Sequence, residues 1–250
     1  MPEDSTVKSL AKALSVLECF SVEQPELGIS EIARMLDLQK STVYNILTTF
    51  QKCGYLTKNP QNSKYALSLK VLHLGYIVSC HHGLRDVMLP YLTQIARETR
   101  EVCYFGILDE GEVLYIEAAY PSMQQQTRNI LGERAPLYCT GLGKAMLAHL
   151  PEKEMEAILA QPMRAFTGYT LTDPAALRHQ MEEIRQNGYA VDNMEHEFGI
   201  RCVAVPVFGS DGRIRAAVSV SGPSPRFDPE TILRHAALIT ETLRPVQHQL

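Results

Sequence analysis

Apolar residues recur at helical spacing three times within the first fifty positions. The first run is Val7, Leu10, Ala11, Leu14 and Leu17. The second is Ile29, Ile32, Ala33 and Leu36, and the third is Val43, Ile46, Leu47 and Phe50. Spacings of three and four residues put each run on one helix face, so the pattern predicts three amphipathic helices. Ser30 is the predicted N-cap of the second helix, and Gly54 is the predicted stop after the third. The short break at residues 37–39 makes the last two a helix-turn-helix.

Two strand-like runs follow the third helix. Residues 55–58 and 64–67 flank a turn of sequence Asn-Pro-Gln-Asn-Ser, which predicts a β-hairpin. A hairpin placed directly after a helix-turn-helix is the wing of a winged helix. A further helix is predicted over residues 68–79, followed by an amphipathic helix that Pro90 either kinks or begins.

Beyond Glu101 the pattern changes to strands in hairpins with helices between them. One hairpin joins residues 102–108 to 113–118, and another joins 202–208 to 214–221. Helices are predicted over residues 141–150, 152–160, 174–187 (with Thr172 or Asp173 as its N-cap) and 229–247. Segregated helices and antiparallel hairpins indicate an α+β fold. We therefore predict a winged helix-turn-helix domain at residues 1–67, a linker helix at 68–81 and a larger α+β domain at 82–250.

The charge distribution changes the interpretation of the first domain. The chain has 28 acidic residues and a net charge of −4, yet no Asp or Glu occurs between Leu38 and Arg85. The same run contains five lysines, at positions 40, 52, 58, 64 and 70. A basic surface on an otherwise acidic protein favours a polyanionic partner, and the helix-turn-helix pattern indicates double-stranded DNA. A solvated face that happens to lack acids is the alternative.

The polar face of the third helix carries side chains suited to DNA. Its candidate contact residues are Lys40, Ser41, Thr42, Tyr44, Asn45 and Thr48, with Lys58 and Lys64 added at the base of the hairpin. Asn45 can pair with adenine through two hydrogen bonds, whereas the lysines and hydroxyls suit phosphate. An exposed helix face also needs polar residues for solvation alone, but acids are normally mixed into such a face.

Composition excludes several other classes. No apolar stretch approaches the roughly 20 residues of a membrane helix, and the N-terminus has no apolar signal-peptide core, so a cytoplasmic location is expected. Six scattered cysteines form no C-x-x-C pair, which favours reduced thiols over disulfides or a zinc site. His81, His82 and His196 are isolated, and we expect neither a metal nor a cofactor.

The larger domain contains a second set of unusual polar positions. Gly141 and Leu142 open a predicted helix, where unpaired backbone N–H groups favour an anion. Ser219 and Ser221 lie two apart on a strand and therefore face the same side, with Asp192 and Cys202 as candidate neighbours. The glycines lack the fuller dinucleotide pattern, so no nucleotide cofactor is expected. His196 or Glu195 could be proposed as a base for Cys202, but the thiol does not lie at a helix N-terminus that would lower its pKa, so no catalytic residue is predicted.

Two stretches resemble the IclR family of bacterial transcription regulators. They are GISEIARMLDLQKSTVYNILTTFQKCGYL in the winged helix and GYAVDNMEHEFGIRCVAVPVF at residues 188–208. LYCTGLGKAML and VSVSGP are similar to further segments of that family in the same order, so the resemblance covers essentially the whole chain. In the third helix the chain departs from the family pattern, because Gln39 stands where Ser or Pro is common and Asn45 where Arg is frequent.

The resemblance implies a GAF-like C-terminal domain that binds a small effector and modulates binding to a palindromic operator. It also implies homodimers, often paired into tetramers, that act as repressors or activators. Carried over by position, the effector site comprises Gly141, Leu142, Asp192, Cys202, Ser219 and Ser221. These donors favour a small carboxylate with a hydroxyl or carbonyl group, and Asp192 would accept a hydrogen bond and repel a bare dicarboxylate.

Two other functions remain open from the sequence. The larger domain could be an enzyme that turns over a carboxylate, with Cys202 as its nucleophile. Alternatively, Cys139 and Cys202 could form a thiol switch that makes DNA binding responsive to oxidation.

Overall fold

A computed structural model describes residues 7–81, 83–121 and 130–247, and it divides the chain into two compact units, Met1–His82 and Gly83–Leu250. The first unit contains helices α1 (Lys8–Leu17), α2 (Ile29–Met35) and α3 (Lys40–Lys52). Strands β1 (Leu56–Lys58) and β2 (Tyr65–Leu67) form the predicted antiparallel hairpin, and helix α4 (Leu69–His81) follows it. Leu27 pairs with Tyr65 through two backbone hydrogen bonds of 2.9 Å, which adds a bridge beside the hairpin.

The first unit differs from the sequence prediction at two points, the apolar face of α1 and the N-cap of α2. In α1, Val16 is fully buried, whereas Leu10 is 56% exposed and Leu14 is also exposed. The predicted N-cap was wrong as well: α2 begins at Ile29, so Ser30 lies inside its first turn and Gly28 is the N-cap. The backbone N–H of Gly28 donates to the Glu31 carboxylate at 2.6 Å, which is the glutamate half of a capping box, and glycine has no side chain to supply the other half.

The second unit is an α+β domain, as predicted. It contains α5 (Gly83–Thr99), β3 (Val102–Asp109), β4 (Glu112–Ala119), β5 (Arg134–Pro136), α6 (Gly141–Leu147), α7 (Glu152–Leu159), α8 (Pro174–Asn187), β6 (Ala190–Asn193), β7 (Ile200–Phe208), β8 (Ile214–Pro223) and α9 (Pro229–Leu243). Pro90 lies inside α5, and Asp173 rather than Thr172 caps α8 by accepting from Ala176 N at 2.9 Å. Helices α6 and α9 end earlier than predicted, and the short strands β5 and β6 were not predicted.

All strand pairs of the six-stranded sheet are antiparallel, in the order β5-β4-β3-β8-β7-β6. Alternation along β8 divides its side chains between two layers. Val218 and Val220 belong to the apolar core that includes residues of α5 and α9. Ala217 belongs to the opposite core, with residues of α6 and α8, and Ser219 and Ser221 share its face of the strand. The sheet face toward α6 therefore carries the polar positions.

Candidate DNA-binding and effector-binding sites

Helix α3 separates an apolar face from the predicted DNA-contact residues. Val43 and Leu47 are fully buried against α1, α2 and the hairpin. Lys40, Ser41, Tyr44 and Asn45 are exposed, whereas Thr42 and Thr48 are half-buried. The outward face is therefore polar and free of acidic side chains.

The two hairpin lysines lie in different electrostatic environments. Lys58 is exposed, and its ammonium lies 5.3 Å from the centroid of the Tyr65 ring. Lys64 forms an ion pair with Glu31 at 2.9 Å, and this bond is the main cause that lowers the pKa of the Glu31 carboxyl. Lys64 is therefore paired with an acidic side chain of the same domain, while Lys58 projects toward solvent.

The hairpin is tied to the segment before α2. The side-chain amides of Asn59 and Asn62 donate to the two oxygens of Glu26 at 3.2 and 2.8 Å. Lys70, which sequence reasoning did not assign, donates to Cys53 O at 2.8 Å and lies 4.3 Å from the centroid of the Tyr55 ring. These contacts join the hairpin to the segment before α2, and the start of α4 to the end of α3.

In the second unit, one cavity of about 660 Å³ is lined by all six predicted effector-site positions. They come from the start of α6 and from β6, β7 and β8. Strand register explains the convergence: Asp192 is paired with Cys202, and Cys202 with Ser221. Ser219 lies two positions before Ser221 on the same face of β8, so these four residues, separated by up to 29 positions in sequence, lie in adjacent rows of one sheet face.

Glycine brings the first turn of α6 against the sheet. A Cβ atom at Gly141 would lie 3.2 Å from the Cβ of Cys202, and one at Gly143 would lie 2.5 Å from main-chain atoms of Leu137. The hydroxyl of Thr140 caps the helix by accepting from Gly143 N at 3.0 Å. The backbone N–H groups of Gly141 and Leu142 have no intrahelical acceptor, so this end of the cavity offers neutral donors.

Asp192 is buried in the cavity wall. Its Oδ1 atom accepts a hydrogen bond from Glu195 N at 2.7 Å, and burial raises its pKa to about 7. Behind it, the buried ammonium of Lys144 forms an ion pair with the carboxylate of Glu195. Lys144 was not assigned from the sequence, and Glu195 was considered only as a possible base for Cys202.

Cys202 lines the cavity and Cys139 is buried just before α6, and both are thiols in a poorly ionising environment. Cys202 Sγ lies 3.0 Å from Ser221 Oγ, and burial raises the Cys202 pKa far above its ordinary value. Burial also raises the pKa of Cys139 to about 12. Because the thiolate is the form that attacks carbonyl groups and reacts with oxidants, this environment disfavours both the enzyme and the thiol-switch alternatives.

Aromatic residues that were not predicted complete the cavity. Tyr104 and Tyr115 pack edge to face with ring centroids 5.8 Å apart, and Tyr120 and His196 line the cavity as well. Tyr104 lies opposite Ser219 because β3 pairs with β8, a long-range pairing that the local sequence patterns did not reveal. Aromatic rings beside neutral donors suit a small planar or short-chain acid.

None of the helices in the described part of the chain combines the length and apolar composition that crossing a bilayer requires.

A winged-helix unit joined to an α+β unit with a polar-lined cavity defines a ligand-responsive transcriptional regulator. The sequence profile described as the bacterial transcriptional regulator IclR C-terminal domain matches residues 77–248, and that of the IclR helix-turn-helix domain matches residues 9–60. The chain belongs to the IclR family of transcriptional regulators, with an N-terminal DNA-binding domain and a C-terminal effector-binding domain.

Relatives and solved structures cover nearly the whole chain. The transcriptional regulator XynR of Escherichia coli is 36% identical over 89% of this chain and 88% of its own. KdgR of the same organism is 32% identical over 99% of this chain and 94% of its own. An IclR homologue of Microbacterium hydrocarbonoxydans complexed with 4-hydroxybenzoate has a TM-score of 0.76 at 28% identity, covering 95% of this chain and 99% of its own. The relatives are named as regulators rather than enzymes.

Proposed function

We propose that this protein is a cytoplasmic regulator whose operator binding is modulated by a small organic carboxylate. The observation that carries the proposal is the convergence of six sequence-predicted positions on one cavity of an IclR-family effector domain. The backbone N–H groups of Gly141 and Leu142 and the hydroxyls of Ser219 and Ser221 hold the carboxylate. Asp192 and Cys202 contact the remainder of the effector.

DNA binding is assigned to the outward face of α3 and to the hairpin. Asn45 and Tyr44 reach base edges from the exposed face, and Lys40, Ser41, Thr42 and Thr48 contact phosphate or adjacent bases. Lys58 contacts the DNA backbone. Lys64 is placed nearby but acts mainly through its ion pair with Glu31.

We also propose that the protein binds a palindromic operator as a homodimer that pairs into a tetramer. The support is a set of exposed apolar side chains in the first unit. They are Leu10 and Leu14 on α1 and Leu69, Leu72 and Tyr76 on α4. Burying such a set between two copies removes apolar surface from water and gives the two recognition helices the fixed spacing that half-sites require.

The first experiment is a thermal-shift screen of the full chain against hydroxy, keto and aromatic carboxylates, including 4-hydroxybenzoate. A ligand present at about 100 times its Kd adds about 2.7 kcal/mol of stability. Each hit is then tested for its effect on binding to an operator selected from random duplex DNA. A hit that changes operator affinity in wild type but not in the Ser219→Ala/Ser221→Ala variant supports the proposal. A panel with no stabilising carboxylate would overturn the effector class.

Dimerisation is tested separately by light scattering of wild type and of Leu10→Asp. Wild type is expected to have at least twice the chain mass, and the variant to dissociate at micromolar concentration. A monomeric wild type would contradict the proposed assembly.

A further inference from the structure

Asp192 lines the effector cavity, and with the ion pair behind it the site has two buried carboxyls but only one buried ammonium. Asp192 and Glu195 are each 4% exposed, and Lys144 is fully buried. Lys144 is paired with one oxygen of Glu195, and the other oxygen, Oε2, has no hydrogen-bond partner among the residues that the structure describes. If both carboxyls were ionised, the cluster would carry a net negative charge inside the protein. Such a charge is costly to bury, and a buried group avoids the cost by holding a proton.

Geometry indicates which carboxyl holds the proton. Glu195 has the ammonium beside it, whereas Asp192 lines the cavity and accepts hydrogen bonds from the backbone N–H groups of Glu195 and His196. Those donors favour the ionised form, but burial outweighs them and raises the Asp192 pKa to about 7. Asp192 is therefore the group that exchanges its proton near neutral pH.

Titratable groups face Asp192 from several elements. They are Lys144 on α6, Cys139 before it, Tyr115 on β4, Cys202 on β7, and Glu195, His196 and Glu197 after β6. Burial raises the pKa of Cys139, Tyr115 and Cys202, so these three stay neutral. Among the described lining residues, Arg134 is the single Lys or Arg. Arg134 already forms an ion pair with Asp109, the last residue of β3.

An anionic ligand in this cavity is therefore met by neutral donors. It would approach an ionised Asp192 without an unpaired lysine or arginine at the described lining to offset the repulsion. A protonated Asp192 removes the repulsion and adds an O–H donor. Ligand binding and proton binding at Asp192 consequently favour each other, because each stabilises the state that the other requires.

We propose that the effector anion binds together with one proton, which is taken from solvent, forms the O–H bond of the Asp192 carboxyl and is donated in a hydrogen bond to the ligand. The proposal rests on the carboxylate effector of the proposed function and adds its regulation: acidification and effector act in the same direction. It also changes the ligand class. A neutral Asp192 selects a carbonyl, hydroxyl or second carboxyl oxygen as acceptor, so dicarboxylates are accepted below neutral pH.

The protonation is tested first without ligand. Infrared difference spectra of the full chain between about pH 5 and 9 are compared for wild type and Asp192→Asn. Wild type is expected to show a carboxylic-acid C=O band that disappears with a midpoint near neutral pH and is absent in the variant. A band that disappears at the ordinary aspartate range of about pH 4 overturns the proposal, whatever binds in the cavity.

Proton uptake is then measured for each carboxylate that stabilises the protein in the thermal-shift screen. 4-Hydroxybenzoate is titrated whether or not it is one of them. Calorimetric titration at about pH 8 in two buffers of different ionisation enthalpy should give close to one proton taken up per ligand bound. The Kd should rise about tenfold per pH unit above about pH 7.5. Asp192→Asn, a permanently neutral side chain of the same shape, should bind without this pH dependence. Glu197→Gln, which removes an exposed carboxylate at the cavity rim, should retain it.

The possible failures can be distinguished. Tight binding with no proton uptake overturns the proton linkage and leaves the carboxylate effector standing. Absence of binding by every carboxylate overturns the proposed effector class, and the infrared midpoint still decides whether Asp192 is held neutral.

Discussion

Replacing Lys144 by methionine should destabilise the effector domain severely. Its ammonium is fully buried and its partner Glu195 has a side chain only 5% exposed, so the change leaves a carboxylate in the core with no counter-charge. Removing one partner of a buried ion pair costs about 3–5 kcal/mol, whereas an exposed pair contributes about 0–1 kcal/mol. For a unit of this size that loss lowers the Tm by on the order of 10 °C.

The assay is calorimetric unfolding of the full chain, with two comparison variants. Lys144→Met/Glu195→Gln removes both charges and should recover most of the lost stability, because no unpaired ion remains. Arg178→Ala breaks the ion pair with Glu156. That pair has two hydrogen bonds of 2.6 Å, but its side chains are about 40% exposed. Its loss should therefore cost about 1 kcal/mol or less. A Lys144→Met variant as stable as Arg178→Ala would refute the assignment of this pair to the core. So would a double variant as unstable as the single one.

Three further predictions use single substitutions. Gly143→Ala places a Cβ 2.5 Å from main-chain atoms and should cost about 1–3 kcal/mol in calorimetric unfolding, whereas Gly168→Ala, with no atom within 4 Å, should be neutral. The Asp192 pKa is raised in the folded state, so this carboxyl stabilises the fold at low pH. That contribution, up to about 4 kcal/mol, is lost as pH rises from about 4 to 7, and the Tm of Asp192→Asn should lack this slope. Lys58→Ala should weaken operator binding for all sequences alike and reduce its logarithmic salt slope by about 1, whereas Lys64→Ala should reduce it less because Glu31 already neutralises that charge.

Local sequence patterns were sufficient to predict the elements and site residues whose positions repeat with a fixed period. The alternation of Ser219 and Ser221 on one strand and the glycines that open α6 are local signals, and register then placed Asp192 and Cys202 beside them. The elements of the winged helix were predicted for the same reason. Short apolar repeats and a turn rich in Asn and Pro specify helices and a hairpin without knowledge of distant contacts.

Long-range pairing was beyond the reach of those patterns. Lys144 and Glu195 are 51 positions apart, and Lys64 and Glu31 are 33 apart, so no periodicity links either pair. The apolar stripe of α1 illustrates a second difficulty. Helical spacing shows that Leu10 and Leu14 share a face, but it does not distinguish a face buried within the chain from one that stays exposed.

In strand β8, contributions to stability and to ligand binding can be measured separately, although the residues concerned share one strand. Val218 and Val220 are fully buried in the core formed with α5 and α9, and each contributes apolar burial worth about 1.5–3 kcal/mol. Ser219 and Ser221 alternate with them and point to the cavity, where a hydroxyl contributes mainly to ligand binding. Truncating the valines therefore lowers stability across the whole domain, while replacing the serines by alanine removes ligand contacts from an intact sheet. The period of two that made these positions visible in the sequence is also what divides stability from recognition along the strand.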